Sequence, residues 1–390
     1  MKKLLSTFLP LCLLFGVCGC GESSKPGPSP QPTESDYWTD SARYGIYVSN
    51  GVMMLGDEAF YGIGMNYFSL FGNCIKSAGF DTSEAFKGLE TLSEYGIPVI
   101  RFNCGVYYGR DLRNYANDRE GYLATLKAIA DKAEECRVGL IPSFFWHWKA
   151  VPDYVGEPGT SWGDENSKTV EFLRTYAADV VNTLKDSRAV FGWEFGNEYN
   201  LEADLPGRSD PDSDIDAESI VTAYGIFAET VSSLDTHGRM ITSGNASLRE
   251  AQYHLFESKS WQADTQAQHD QMQAYFHSAG MDVVSEHNYF LEYKLAEGTL
   301  TLYEYMKHAV EVCRADGKGY FVGEFGGSTL EEYEEMCRTM MSTRVQLSLV
   351  WNFDPLGLTE HSYTESDEKG QFLFPLLKQI NAEYRELVSD

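Results

Sequence analysis

The sequence contains few basic residues. Its 390 residues include 31 Lys and Arg against 58 Asp and Glu, which gives a formal net charge of −27. A surface this acidic repels the phosphates of nucleic acids and of anionic lipids, so we expect no nucleic-acid partner. Hydrophobic residues at 43% and charged residues at 23% are ordinary for a globular protein, which excludes disordered, collagen-like and polytopic membrane classes.

Long hydrophobic runs are also absent. The run over residues 4–17 is too short to cross a bilayer, and it follows two lysines, which is the arrangement of a secretory signal peptide. It ends at Gly19-Cys20, and a small residue before a cysteine resembles a bacterial lipoprotein processing site. We therefore expect residues 1–19 to be a signal peptide and Cys20 to carry a lipid. An ordinary secretory peptide with incidental cysteines is the alternative.

A Pro-rich spacer follows the expected anchor. Residues 20–36 have no apolar periodicity and cannot bury a core, so we expect an extended linker. Residues 37–390 then form a single domain. We expect an exported monomer in the cell envelope, periplasmic or outward-facing, which meets the membrane only through its N-terminal lipid.

Metal-binding and dinucleotide-binding motifs are missing as well. No GxGxxG follows an early strand, and no HExxH or close His/Asp cluster occurs among the eight histidines. The five cysteines of the mature chain, at positions 74, 104, 136, 313 and 337, show no metal-ligand spacing. We therefore expect no metal and no cofactor. Export permits disulfides, but five is an odd number, so bridges and buried free thiols both remain open.

Short apolar runs rich in β-branched and aromatic residues recur along the domain and predict eight strands. They cover residues 60–67, 98–104, 138–146, 190–197, 239–245, 281–289, 319–326 and 345–353.

Amphipathic stretches separate these runs. In one of them, apolar residues from Leu173 to Leu184 recur at i, i+3, i+4, i+7, i+8 and i+11, which is the buried stripe of a helix. Another begins with the sequence DTSE, an acidic variant of the capping box, with Asp81 as the expected N-cap.

Apolar strands that alternate with helices indicate a parallel sheet covered on its faces, and eight such units predict an α/β fold, the (β/α)8 TIM barrel. A doubly wound sheet is the rival, but it lacks its glycine motif here. Residues 45–57 are expected to form a hairpin that plugs the bottom of the barrel.

The carboxyl ends of barrel strands meet at one face, where the chemistry of such barrels takes place. The predicted strand ends carry carboxylates, histidines, an arginine, amides and indoles. They are Asn66, Arg101, Asn103, Trp146, His147, Trp148, Glu194, Asn197, Glu198, His287, Tyr289, Glu324 and Trp351. Two acids that flank a glycosidic bond, with aromatic rings beneath the sugars, are the inventory of a glycosidase.

The charges near Glu198 and Glu324 predict a different catalytic role for each of these two acids. Arg101 near Glu324 would keep that carboxylate ionised as the nucleophile, and the hydroxyl of Tyr289 would donate to it. Like-charge repulsion and aromatic surface would raise the pKa of Glu198, which would then serve as acid and base. We expect His287 to hydrogen-bond this acid or the substrate.

Other strand-end residues are expected to contact the sugar. The amide of Asn197 is expected to reach the sugar 2-hydroxyl, and Asn66 is a further candidate for substrate binding. Trp351 and Trp148 are expected to be stacking platforms. His147 is interpreted either as a subsite ligand or as an ordinary loop residue.

Asn197-Glu198 after the fourth strand and Glu324 in Gly-Glu-Phe-Gly resemble the two catalytic positions of clan A glycoside hydrolases. With Arg101, His287-x-Tyr289 and Trp351, the set resembles glycoside hydrolase family 5, the cellulase family, over roughly residues 47–353. The resemblance implies a (β/α)8 barrel and a retaining hydrolase without a cofactor. It also implies a β-linked carbohydrate substrate, mostly a β-1,4 glucan or mannan.

Two departures from the family pattern leave the substrate open. Tyr199 replaces the proline that often follows the acid, and the third strand ends in Phe-Trp-His-Trp where Asp-x-His is usual. Glucan or mannan, and endo or exo action, therefore stay undecided. A surface-tethered protein that binds glycans without cleaving them is the alternative function.

Further residues have structural interpretations. Glu194 is expected to lie deeper in the barrel as the partner of a buried base, and Arg101 either neutralises such an acid or acts in the site. Trp162, in a polar loop, is a further candidate platform.

Overall fold

Eight parallel strands close into a barrel, each within one of the eight predicted runs. The structure is a computed structural model that describes residues 37–76, 80–107, 109–207 and 214–389. The expected signal peptide, Cys20 and the linker lie outside the described residues. From Tyr37 onward the described residues form one compact unit.

The strands comprise an N-terminal sheet (β1–β3), the barrel (β4–β9, β12 and β13) and a small hairpin (β10 and β11). Their bounds are β1 Ile46–Ser49, β2 Val52–Leu55, β3 Glu58–Ala59, β4 Gly62–Asn66, β5 Val99–Asn103, β6 Gly139–Phe145, β7 Gly192–Gly196, β8 Met240–Thr242, β9 Val283–Asn288, β10 Glu292–Leu295, β11 Gly298–Thr301, β12 Gly319–Phe325 and β13 Leu347–Val350.

Every residue of the barrel strands is buried, because the barrel core covers one face and the helices cover the other. This double burial explains why the strands read as continuous apolar runs. β13 pairs with β4 and closes the ring, with Leu347 opposite Gly62. The prediction of a (β/α)8 barrel is confirmed.

The helices surround the barrel. Their bounds are α1 Tyr37–Asp40, α2 Leu70–Cys74, α3 Ser83–Glu94, α4 Gly109–Asn117, α5 Arg119–Cys136, α6 Ala150–Val155, α7 Lys168–Leu184, α8 Ala217–Leu234, α9 Gln252–Ser258, α10 Gln266–Phe276, α11 Leu302–Ala315, α12 Leu330–Ser342 and α13 Glu368–Ser389, with 3-10 turns at Gly159–Gly163 and Tyr199–Glu202. None of the helices in the described part of the chain is both long enough and apolar enough to span a membrane.

Two helix predictions can be compared with the structure. The predicted stripe of α7 is buried from Leu173 to Leu184, as the periodicity requires. The predicted cap of α3 is wrong by one residue, because Thr82 occupies the N-cap position. Asp81 still accepts a hydrogen bond from Ser83 N at 2.9 Å, which is the two-residue reach of an Asx turn.

The β1–β2 hairpin plugs the amino-terminal end of the barrel, as predicted. Ile46 and Met53 are fully buried in one apolar cluster with barrel residues such as Val99. The backbone NH of Ile46 donates to Phe191 O at 2.7 Å. The Gln346 amide exchanges two hydrogen bonds with the backbone of Met53, which holds the plug against the barrel.

All five cysteines within the described residues are free thiols, and four of them are buried. Of the two alternatives, the structure therefore agrees with free thiols and not with disulfides.

His277 makes the stability of the barrel sensitive to acid. Its buried Nδ1 lies 2.9 Å from Gln273 O and donates to it, while Nε2 accepts from Ser285 N at 3.3 Å. Burial lowers the pKa of His277 from 6.5 to about 4. Between pH 6.5 and pH 4, His277 binds a proton in the unfolded chain but not in the folded chain. The free energy of unfolding therefore falls as the pH drops toward 4.

We therefore expect that lowering the pH from 7 to 5 costs the wild type about 2 kcal/mol more in free energy of unfolding than it costs His277→Gln. Urea denaturation at both pH values measures this difference. Equal losses in the two proteins would show that His277 is not the group that titrates.

Candidate active site

Arg101, at the centre of the barrel mouth, links four of the predicted site residues. This fully buried side chain forms ion pairs with Glu194 through Nε (2.6 Å) and with Glu324 through Nη1 (2.7 Å). It also donates to the side-chain oxygens of Asn66 (3.1 Å) and Asn197 (2.8 Å). Arg101 thus pairs with both the deep acid Glu194 and the strand-end acid Glu324, so its contacts agree with both of its interpretations.

Glu324 and Glu198 face each other, as predicted. One carboxylate oxygen of each residue lies within 4.8 Å of the other, and a ring nitrogen of His287 lies within the same distance of both. Nδ1 of His287 is 3.0 Å from Glu198 Oε1 and 3.5 Å from Glu324 Oε1. The hydroxyl of Tyr289 donates to Glu324 Oε2 at 2.7 Å. The predicted contacts of His287 and Tyr289 are therefore present.

The two carboxyls differ in their hydrogen-bond donors. Burial raises the pKa of both Glu198 and Glu324. Direct bonds from Arg101 and Tyr289 stabilise the ionised form of Glu324. The Glu198 carboxyl instead contacts Nδ1 of His287, and because burial lowers the pKa of His287 to about 3, this ring is neutral. Of the two carboxyls, Glu198 is therefore better suited to be protonated and Glu324 to be ionised.

Burial is the main cause of the raised pKa of Glu198, and the negative charge of Glu202 adds to it. Arg101 and Arg249 oppose the rise. Besides burial, the like-charge repulsion between Glu198 and Glu324 raises the pKa of Glu324. The predicted direction is correct, and burial contributes more to the raised pKa of Glu198 than repulsion does.

A left-handed turn presents Glu198 to the cleft. The residue follows β7 with φ 56° and ψ 28°, and its backbone NH donates to Gly244 O at 2.8 Å. The 3-10 turn Tyr199–Glu202 begins directly after it. Tyr199, which stands at the position of the family's proline, is buried against Phe195 and Trp162.

An aromatic cleft of about 480 Å³ opens beside these acids. Trp351 and Trp146 line it with ring centroids 6.2 Å apart, and Phe68 packs against both rings. The guanidinium carbon of Arg101 lies 4.3 Å from the centroid of the Trp146 ring, so this indole connects the cleft to the acids.

The likeness to known proteins lies in the structure rather than in the sequence. No protein-family profile and no curated protein sequence matches the chain. The endo-1,4-β-mannanase of Rhizomucor miehei superposes with a TM-score of 0.62 at 16% identity, over 88% of this chain and 99% of that one. The chain therefore shares the (β/α)8 barrel fold of that protein.

Two further structures agree. A glycoside hydrolase family 5 mannosidase from Rhizomucor miehei has a TM-score of 0.60 at 13% identity, over 90% of this chain and all of that one. The β-1,4-mannanase of Cryptopygus antarcticus has a TM-score of 0.60 at 14% identity, over 86% and 94% of the two chains. The predicted resemblance to family 5 barrels is confirmed in the fold.

The barrel fold places two of the predicted sugar platforms in the protein core. Trp148 is 9% exposed and packs directly against the backbone of Gly159, where a Cβ would lie 2.5 Å from the indole. Trp162 is fully buried and donates from Nε1 to Trp148 O at 2.8 Å. The prediction that Trp148 and Trp162 stack on sugar is wrong, because their polar loops fold back over both rings.

Of two polar candidates, Asn66 differs from expectation, whereas the position of His147 agrees with both of its interpretations. Asn66 is fully buried, and its amide nitrogen donates to Gly323 O at 2.9 Å while its oxygen accepts from Arg101. Asn66 therefore positions Arg101 and does not bind substrate. His147 is exposed in a depression adjoining the cleft, with its ring 5.8 Å from Tyr107.

Sequence reasoning missed Phe68 and Tyr107, which line the aromatic cleft. Phe68 lies two residues beyond the end of β4 and Tyr107 lies four beyond the end of β5. A search for site residues that included the four residues after each predicted strand would have found both.

Three residues that could ligate a metal lie together in space, although no sequence motif marks them. Glu198 comes from the turn after β7, His287 from β9 and Glu324 from β12, so no sequence spacing reveals the cluster. Arg101 already supplies a positive charge 2.7 Å from Glu324. A cation bound there would have to share the carboxylate with this guanidinium.

The Trp351 ring offers the clearest mutational test of the cleft. Truncating Trp351 to Ala should raise KM for oligosaccharides about tenfold, because one aromatic contact is lost, while kcat changes less. Steady-state kinetics with Trp351→Phe as the matched control separates loss of the ring from loss of the indole NH. An unchanged KM in the Ala variant would exclude Trp351 from the binding surface.

Proposed function

We propose that this chain is a retaining β-glycoside hydrolase, and that a β-1,4-linked mannan or glucan is its substrate. The observation that carries the proposal is the pair Glu198 and Glu324, with carboxylate oxygens within 4.8 Å of each other. Retaining enzymes need their carboxyls about 5–5.5 Å apart, whereas inverting enzymes need about 6.5–9.5 Å to admit a water. The mannanase fold favours mannan as the first substrate to test.

In the first step, Glu324 attacks the anomeric carbon and Glu198 gives its proton to the glycosidic oxygen as the leaving sugar departs. In the second step, Glu198 takes a proton from water, and this water displaces Glu324 from the glycosyl-enzyme. Asn197 binds Arg101 through its amide oxygen, which leaves the amide nitrogen to donate to the sugar 2-hydroxyl.

Product stereochemistry tests the mechanism. The purified protein should be offered defined β-1,4-linked manno- and gluco-oligosaccharides, with products followed by chromatography and the first-formed anomer read by NMR. We expect a β product, with and without EDTA. An α product would mean inversion, and binding without turnover on the whole panel would favour the glycan-binding alternative.

We also propose that the protein is an exported lipoprotein anchored through Cys20, on the basis of the Gly19-Cys20 sequence and the Pro-rich spacer. Changing Cys20 to Ala should move the protein from the membrane fraction to the soluble extract, which immunoblotting of fractionated cells would detect. Unaltered partition into membranes would contradict lipidation at this residue.

A further inference from the structure

Trp261 is a large aromatic side chain that the fold leaves in solvent. Its side chain is 59% exposed, the highest value for any Trp among the described residues. A single exposed apolar residue is ordinary on a protein surface, so exposure alone assigns no role.

The loop that carries Trp261 is tied at both ends. Ser260 N donates to His254 O at 3.1 Å, and Asp264 N donates to Glu250 O at 2.7 Å. The buried carboxylate of Asp264 also accepts from Tyr253 N at 2.7 Å and lies 2.6 Å from His254 Nδ1. These bonds hold the loop against α9, so Trp261 is presented from a preorganised segment, which lowers the entropy cost of binding.

Trp261 is also connected to the candidate acid. The guanidinium carbon of Arg249 lies 5.8 Å from the centroid of the Trp261 ring. Arg249 donates from Nη2 to Leu201 O at 2.6 Å, and Leu201 N donates to Glu198 O at 3.0 Å. One guanidinium and one 3-10 turn therefore separate the exposed indole from Glu198.

Trp261 and the aromatic cleft lie on opposite arcs of the barrel mouth. Phe68 and Trp351 of the cleft follow β4 and β13, whereas Trp261 belongs to the segment after β8. In the ring of eight strands, β8 stands opposite β4. A glycan that lies over Trp351 and crosses the acids therefore continues toward Trp261.

We propose that Trp261, supported by Arg249, is a stacking platform for sugars on the leaving-group side of the cleaved bond. The side follows from chemistry, since Glu198 protonates the departing oxygen and Trp261 lies beyond Glu198. Sugar binding on both sides of the acids makes the protein an endo-acting enzyme that cleaves internal bonds. This inference rests on the proposed function.

Two substrates separate this platform from a general effect. One is a β-1,4-linked hexasaccharide that the wild type cleaves, and the other is an aryl β-trioside of the same sugar, whose leaving group is a single phenol. Trp261→Ala should lower kcat/KM about tenfold on the hexasaccharide, the effect of one lost aromatic contact. The aryl trioside should react unchanged. Cleavage of the hexasaccharide should also shift toward its reducing end.

Two variants serve as controls. Trp261→Phe keeps a ring and should recover most of the lost activity. Tyr61→Ala removes an aromatic ring just before β4, at the opposite end of the barrel, and should leave the cleavage pattern as in the wild type. Because Trp261 is exposed, its Ala variant should keep the melting temperature of the wild type.

Three outcomes would overturn the inference. The first is that Trp261→Ala matches Tyr61→Ala on the hexasaccharide, and the second is that it loses as much activity on the aryl trioside. In either case a wild type that hydrolyses both substrates preserves the proposed function and removes only the platform. A wild type that cleaves neither substrate removes the proposed function, and the platform with it.

Discussion

Replacing Glu324 by Gln is expected to reduce kcat/KM on every substrate by about 10⁴-fold or more, the scale seen when a covalent nucleophile is lost. The amide keeps the volume of the side chain, but Arg101 and Tyr289 donate to different oxygens of Glu324, so the single amide oxygen replaces only one of these two acceptors. It cannot form the glycosyl-enzyme. An activated aryl glycoside should not restore turnover, because the missing group is the attacking one.

Glu286 offers a matched control for this substitution. It is a fully buried Glu on β9 that accepts hydrogen bonds from Gln273, Tyr305 and Tyr320, away from the two acids. Glu286→Gln should lower stability and leave kcat close to that of the wild type. Initial rates and melting temperatures of both variants are the measurement. Comparable rates for Glu324→Gln and Glu286→Gln would exclude Glu324 as nucleophile.

The second large effect is expected at Glu198. Without this acid, hydrolysis of an oligosaccharide should fall by roughly 10²–10⁴-fold, the range of general acid catalysis. An aryl glycoside with an acidic phenol needs little protonation, so it should still glycosylate Glu324 in Glu198→Ala. Deglycosylation should then limit the rate, because water has lost its base.

Azide distinguishes the two roles by product stereochemistry. A small anion needs no general base, so azide should rescue Glu198→Ala and give the β-glycosyl azide. In a variant without Glu324, azide acts only by direct displacement and gives the α-anomer. NMR of the azide products reads the configuration, and an α-azide from Glu198→Ala would reverse the two assignments.

The pH profile provides an independent check on Glu198. The acid must be protonated to act, so kcat/KM of the wild type falls as the pH rises through its pKa, which burial has raised. With the aryl glycoside, Glu198→Ala should lose this alkaline limb. The acidic limb should persist, since it reports the ionisation of Glu324.

The sequence predicts the barrel well because its strands are buried on both faces, which leaves continuous apolar runs such as residues 139–145. It also predicts the acids, because strand ends converge wherever the strands close a ring. The ring is confirmed, whereas the catalytic roles of Glu198 and Glu324 stay predictions.

Loop burial could not be predicted in the same way. Trp148 and Trp162 stand in polar segments that gave no periodicity, and their burial depends on how the loop at Gly159 folds back over the indole. The cluster of Glu198, His287 and Glu324 was hidden for a related reason. Its members are far apart along the chain, and only closure of the ring brings them together.

The left-handed backbone conformation of Glu198 lowers the stability of the fold at a residue that the proposed chemistry requires. A non-glycine residue at φ 56° costs roughly 1 kcal/mol, and burial of a carboxylate adds to this cost. Glycine would adopt the same turn without strain and would bury no acid. A selection for thermal stability alone would therefore favour Glu198→Gly, and it would enrich well-folded proteins that have lost the carboxyl proposed as the proton donor.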